Sequence, residues 1–172
     1  MTPEEFKIKL LPLKNKLFRL AWHLTGQREE AEDVVQEVYL KIWNMRYRLE
    51  KYNSLEGLLV TMTRNRCLDT LRQKKNKTLR FKPEIYHRAG EADLQQQNEA
   101  RDLIQHVLKM MADLPEQQKT IMHLRDVEGY GFEEISVITG FDGNYIRVNL
   151  SRARKKIRTE IEKIEKYGTG KD

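Results

Sequence analysis

Apolar residues recur along this chain at steps of three and four, the period of a helix with one buried face, and no stretch alternates as a half-buried strand would. The last stripe is the longest: Ile146, Leu150, Ala153, Ile157, Ile161 and Ile164. Asp142 stands where an N-cap belongs, and Gly140 and Gly143 permit a tight turn, so a helix is expected from about 143. Just before it, "GFEEISVITG" (131–140) reads as a short helix with Phe132, Ile135 and Ile138 inward. Short helix, glycine turn and long helix together have the outline of a helix-turn-helix.

Towards the N-terminus, "TPEE" is a capping box with proline at the first helical position. It predicts a helix to about Thr25 with Phe6, Leu10, Leu13, Leu17, Leu20 and Leu24 inward, bent at Pro12 and ended by Gly26. A second helix, about 28–46, places Ala31, Val34, Val35, Val38 and Ile42 inward, with Trp43 at its end. The third, about 54–75, is capped by Ser54 and carries two apolar groups, which implies two neighbours. From 76 to 96, lysines, Pro83, Gly90 and "QQQ" supply no apolar face, and a linker is expected. Beyond it the spacing predicts helices at about 97–112, with Leu103, Val107 and Met111 inward, and at 115–127, then the pair already described. The fold class is all-α: a three-helix domain over 1–75, a linker over 76–96, a four-helix domain over 97–167 and a tail over 168–172.

Composition narrows the partners. In 172 residues the net charge is +6, which favours a polyanionic partner. The lone Cys67 lies among apolar neighbours and forms no disulfide within the chain, which fits a reduced, cytoplasmic setting. No apolar run approaches the roughly 18 residues of a membrane span, and the N-terminus lacks the order of a signal peptide.

The polar faces then carry the chemistry. On the last helix, Asn144, Arg147, Ser151, Arg154 and Arg158 recur at steps of three and four, with Arg152, Lys155 and Lys156 nearby, all able to reach a phosphate or a base edge. The same spacing also fits a helical hairpin with a solvated basic face. On the third helix, Asn65, Asp69 and Arg72 form a polar edge. Asp33, Gln36 and Glu37 on the second form an acidic face that would suit a partner offering arginines. As an acid/base couple, Asp33 and Glu37 lack any sign of burial. His23, His87, His106 and His123 have no ligand at metal spacing and are expected at surfaces or interfaces. "GYGFEE" lacks the third glycine of a phosphate cradle. No metal, cofactor or catalytic residue is implied. An autonomous helix-turn-helix regulator and a nucleic-acid enzyme with Asp33 and Glu37 as metal ligands are the rival readings; the first predicts a dimer, for which only the 146–164 stripe is available.

Three blocks, "EEAEDVVQEVYLKIW" (29–43), "LEGLLVTMTRNRCLDTLRQKK" (55–75) and "LPEQQKTIMHLRDVEGYGFEEISVITGFDGNYIRVNLSRARKKIR" (114–158), resemble in order and spacing the extracytoplasmic-function branch of bacterial sigma factors. The phrase "NYIRVNLSRARKKI" is similar to versions from the Bacteroidetes group. The resemblance implies a promoter-specificity subunit, monomeric when free. Its Asp33, Gln36 and Glu37 would dock on the clamp helices of core RNA polymerase. The loop from Arg46 to Ser54 with Tyr47, together with Arg64, Asn65, Asp69 and Arg72, would open and hold the minus-ten element. The second domain would pack on the polymerase flap and read the minus-thirty-five element through Asn144, Tyr145, Arg147, Val148, Ser151, Arg152, Arg154 and Lys155. An anti-sigma factor is implied as a further partner. Melted DNA is held by cations and by aromatic platforms, which "NMRYRLEKYNS" offers beside Trp43; the alternative is that Trp43, Tyr47 and Tyr52 close the small core. Tyr145, Val148 and Asn149 depart from the family's usual residues, which implies an altered base preference, while Met62, Arg66 and Cys67 replace commoner residues on the third helix and leave the minus-ten specificity open.

Overall fold

The computed structural model describes residues 1–76 and 97–168, and every regular element among them is helical. The expected linker, apart from Asn76, and the tail after Gly168 lie outside the described residues, as does His87. One group of helices comprises α1 (Pro3–Lys9), α2 (Lys14–Thr25), α3 (Arg28–Asn44) and α4 (Leu55–Asn76). The other comprises α5 (Gln97–Ala112), α6 (Glu116–Met122), α7 (Phe132–Thr139) and α8 (Gly143–Gly168).

The capping box forms: Glu5 N–H donates to Thr2 Oγ1 (3.2 Å) and Thr2 N–H to Glu5 Oε2 (2.7 Å). Pro12 breaks the first helix where a bend is expected, because it lacks an N–H and its ring crowds the preceding turn. The chain makes a tight turn over Leu11–Leu13 and restarts as α2. At the break, the Leu10 carbonyl accepts from Leu13 N–H (3.1 Å) and from Tyr39 O–H (2.7 Å). Gly26 ends α2 at φ +73°, the left-handed conformation that a side chain would resist.

The core of this group lies where α2, α3 and α4 meet, and the five α3 positions expected inward are buried. Ser54 caps α4, accepting from Gly57 N–H at 3.0 Å. The two apolar groups of α4 are explained by its neighbours α2 and α3, and a third neighbour, α7, comes from the other group.

In the second group α8 is the axis, with α5, α6 and α7 packed on it. Ile146, Leu150, Ala153 and Ile157 are buried, whereas Ile164 is 41% exposed because the helix runs past its neighbours. Leu103, expected inward, is 48% exposed; α5 meets the core through later positions, Val107 and Met111. The helix expected over 115–127 ends at Met122 and widens over His123–Val127, where Glu128 N–H reaches back to the His123 carbonyl (3.0 Å). This wide turn and α6 touch α2, while α7 touches α4, so the two groups are closed on each other.

Candidate nucleic-acid interface

Asp142 Oδ1 accepts from Tyr145 N–H (2.8 Å), which fixes the start of α8 and aims its first turns. Asn144, Tyr145, Arg147, Val148, Ser151, Arg152, Arg154 and Lys155 are all exposed, on the side away from the buried stripe. They are not equally available. The Arg147 guanidinium lies 5.1 Å from the centroid of the Phe132 ring, which Arg125 covers at 4.8 Å. A side chain at Gly143 would meet Arg147 Nη1 at 3.2 Å, so glycine there leaves room for the arginine to fold back. Arg154 is engaged by Asp126 through two bonds, Nε to Oδ2 at 3.0 Å and Nη2 to Oδ1 at 2.5 Å. Its charge is thereby neutralised within the chain, which sets it apart from exposed Lys155. Tyr145 packs against Phe141 with centroids 4.7 Å apart. Asn149 turns inward, donating from Nδ2 to its own helix at the Tyr145 carbonyl (2.9 Å), so a polar residue sits buried without an orphan donor.

On the first group, the Arg46 guanidinium lies between Trp43 and Tyr47, 4.4 Å and 4.2 Å from their ring centroids. It also donates from Nη1 to the Trp43 carbonyl (3.0 Å) and from Nη2 to Tyr47 Oη (2.6 Å). Trp43 stands edge-on to Phe6 at 5.1 Å, as a wall of the core, while Tyr47 is 73% exposed, a ring face held out to solvent. Tyr52 is 42% exposed. Asn65, Asp69 and Arg72 form an exposed edge on α4, with Arg72 Nη1 3.8 Å from Asp69 Oδ1. Arg64 departs from this edge: it is 8% exposed, its guanidinium 5.4 Å from the Phe141 ring of the other group. Nothing in the sequence pattern signals that burial, because the covering ring lies in a distant segment.

Asp33, Gln36 and Glu37 share the exposed face of α3. Arg66 on α4 grips both oxygens of Glu37, from Nε to Oε2 and from Nη2 to Oε1 (3.1 Å), and these bonds hold the carboxyl below its ordinary range. Leu40, 63% exposed, continues the same face one turn on; its spacing from Gln36 and Glu37 is the signal the sequence reading passed over. Cys67 is fully buried, and burial pushes its thiol up to about 12, which leaves it unreactive. Among the described residues no three of His, Cys, Asp and Glu gather as a metal site, and no helix is long and apolar enough to cross a membrane.

Two family models match the chain: Sigma-70 region 2 over residues 12–77 and Sigma-70, region 4 over residues 104–157, together more than half of its length. The ECF RNA polymerase sigma factor SigE of Mycolicibacterium smegmatis is 27% identical over 87% of this chain and 58% of its own length. RNA polymerase sigma factor SigV of Bacillus subtilis is 26% identical over 87% of both chains. The probable sigma factor RfaY of Xanthomonas campestris matches over 40% of its length, so the chain spans about half of two of the curated relatives it resembles. Among solved structures, the sigma factor RpoE in complex with the anti-sigma factor NepR from Bartonella quintana superposes with a TM-score of 0.75 at 23% identity, covering 92% of this chain and 98% of that one. CnrH in complex with the cytosolic domain of CnrY gives 0.67 at 16%, over 94% and 90%.

Proposed function

The chain belongs to the sigma-70 family, in its extracytoplasmic-function branch, and on that premise we propose that it directs core RNA polymerase to its promoters and initiates transcription there. Residues 1–75 act as the polymerase-docking and minus-ten domain and residues 97–167 as the minus-thirty-five domain. The observation that carries this reading is the face of α8, where seven polar or cationic positions and Val148 stand exposed above a buried stripe that fixes their aim. A rigid helix presenting Asn, Ser and Arg side chains suits the major groove, in which base edges are told apart by hydrogen bonds.

The exposed Tyr47 ring and the Asn65–Asp69–Arg72 edge support a role in holding unstacked bases, with Arg64 joining them. Asp33, Gln36 and Glu37 offer the acidic flank for the clamp helices, and the second domain packs on the flap. The protein works as a monomer in the cytoplasm, without a cofactor and without chemistry of its own, in keeping with a family that is generally non-enzymatic. An anti-sigma factor is its regulatory partner, as the two solved relatives were captured with one or with a partner's cytosolic domain. The style of "NYIRVNLSRARKKI" supports a Bacteroidetes-type origin within that branch.

Reconstitution tests this. Wild type mixed with core polymerase and a promoter library yields discrete run-off starts, and Asp33→Ala weakens polymerase association while its circular dichroism stays that of wild type. Duplex binding as selective without polymerase as with it would overturn the reading in favour of an autonomous regulator.

A further inference from the structure

The outward face of α8 has an apolar centre. Several of the polar side chains around it are already engaged. Asn149 is buried and donates its amide to the Tyr145 carbonyl, so it serves the helix and not a groove. Arg154 is held by Asp126 and Arg147 lies over the Phe132 ring, both towards one edge of the face, while Tyr145 rests against Phe141 towards the other. Val148 stands between these edges, 39% exposed. At the pitch of an α-helix it points about 170° away from the mean direction of the buried stripe Ile146, Leu150, Ala153 and Ile157. Its neighbours one turn away, Asn144, Tyr145, Ser151 and Arg152, are all exposed, so a single valine is ringed by polar groups.

The fold gives no reason for a valine there. A β-branched side chain is stiff and weakly disfavoured in a helix, and one left facing water gains nothing from burial. A base edge does give a reason. In the major groove the 5-methyl of thymine is the one apolar group on display, whereas cytosine and adenine present amino donors and guanine presents two acceptors. A branched apolar side chain packs on that methyl. Set against an amino group or a carbonyl instead, it strips water and returns no hydrogen bond, so the same residue favours thymine and disfavours the other bases. Val148 is also well placed along the helix, because α8 begins at Gly143 and the N-terminal part of a recognition helix is what meets base edges.

We propose that Val148 selects for thymine in the upstream promoter element by packing on its 5-methyl group, so that the promoters this chain reads carry a thymine at the base pair facing the centre of α8. The proposal rests on the reading of α8 as the minus-thirty-five helix. It divides the work of that helix: polar side chains of the rim bind phosphates and neighbouring base edges, and the valine decides the base at the centre.

Deoxyuridine tests it, since it differs from thymidine only in lacking that methyl. Holoenzyme reconstituted from the full chain and core polymerase is first given a promoter library. The promoter with the strongest run-off start is then remade as a set of duplexes in which each thymine of the upstream element is replaced in turn by deoxyuridine. In competition binding, wild-type holoenzyme will hold one of these duplexes about fourfold more weakly than the parent, the worth of one buried methyl-sized group. Val148→Ser, a change at an exposed position that leaves circular dichroism as in wild type, will bind the thymine and uracil forms of that duplex alike. Val148→Ile keeps the apolar branch and will retain the difference. An upstream element without thymine, tolerance of deoxyuridine at every position, or a loss that persists in Val148→Ser overturns the proposal; the last outcome would place the effect in the stiffness of the DNA or in another side chain. No run-off start from wild type at any promoter strikes the promoter reading itself, and the proposal with it.

Discussion

Arg147 stacks on Phe132 in the free protein, which presets the guanidinium near the start of α8 at little conformational loss. A planar fork so placed matches the O6 and N7 acceptors of guanine, and one bidentate contact discriminates by about 1–3 kcal/mol. Arg147→Ala is accordingly expected to relax selectivity at one upstream position by that amount, measured by binding across single-base promoter variants. Equal weakening across all of them would make Arg147 a phosphate contact. Arg154 invites the opposite expectation, since Asp126 already takes both arms of its guanidinium. That difference between two arginines one helical face apart is invisible in the sequence, where both stand in the same basic run. It depends on where the turn before α7 brings Asp126.

At the scale of elements, caps and stripes were legible and junctions were less so. Ser54 and Asp142 cap as their spacing implied, because a hydroxyl or carboxylate meeting a free N–H three residues on is a local event. Pro12 also announced an interruption, but whether a helix bends or breaks depends on what satisfies the freed carbonyl. Here Tyr39, far along the chain, reaches back to Leu10 and makes the break tolerable. Burial beneath the oxygen's neighbours raises the Tyr39 hydroxyl to about 12, so it remains a donor throughout the usual range. The Asp142 cap yields a second test. Asp142→Ala is expected to lose about 0.5–2 kcal/mol of stability by urea denaturation. The same change is expected to fray the first turn of α8, seen as faster amide exchange from Tyr145. Unchanged exchange there would mean that packing of Ile146 alone holds the turn.

For the molecule as a whole, the closed contact joins residues too far apart for any periodicity to relate. Arg19 and Glu128 are separated by 109 positions, and their pairing follows only once both groups have folded. This is why the burial of Arg64 and of His23 and His123, whose rings stack with centroids 4.9 Å apart, escaped the sequence, where the histidines were expected at surfaces or interfaces. The cluster also sets how stability varies with pH. The groups facing it are Arg19 and Lys16 on α2, Glu56 on α4, Lys119 on α6 and Tyr130. Burial, with the charge of His123 and Lys119 nearby, holds His23 well below its ordinary 6.5, so the folded chain keeps it neutral. As pH falls below about 6.5 the unfolded chain gains a proton that the folded one refuses, and stability declines by at most ~1.4 kcal/mol per pH unit for one group. Glu128 acts lower. Burial opposes its charge, but His123 and Arg19 outweigh burial and hold it at about 2, a contribution present above its ordinary 4.5 and lost between there and 2. The urea midpoint is therefore expected to fall from pH 7 to 5 in wild type and to fall less in His23→Gln. Equal slopes would show that His23 is not the group responsible.

The pairing of Arg66 with Glu37 carries one more consequence. A cation brought to this flank by another protein meets a carboxylate that is already neutralised, so first contact falls to Asp33 and Gln36. Glu37 can join only by exchanging one guanidinium for another. That exchange would return the positive charge of Arg66 to the neighbourhood of Asn65 and Asp69, and occupation of one flank of the domain would thereby make the other more attractive to a polyanion.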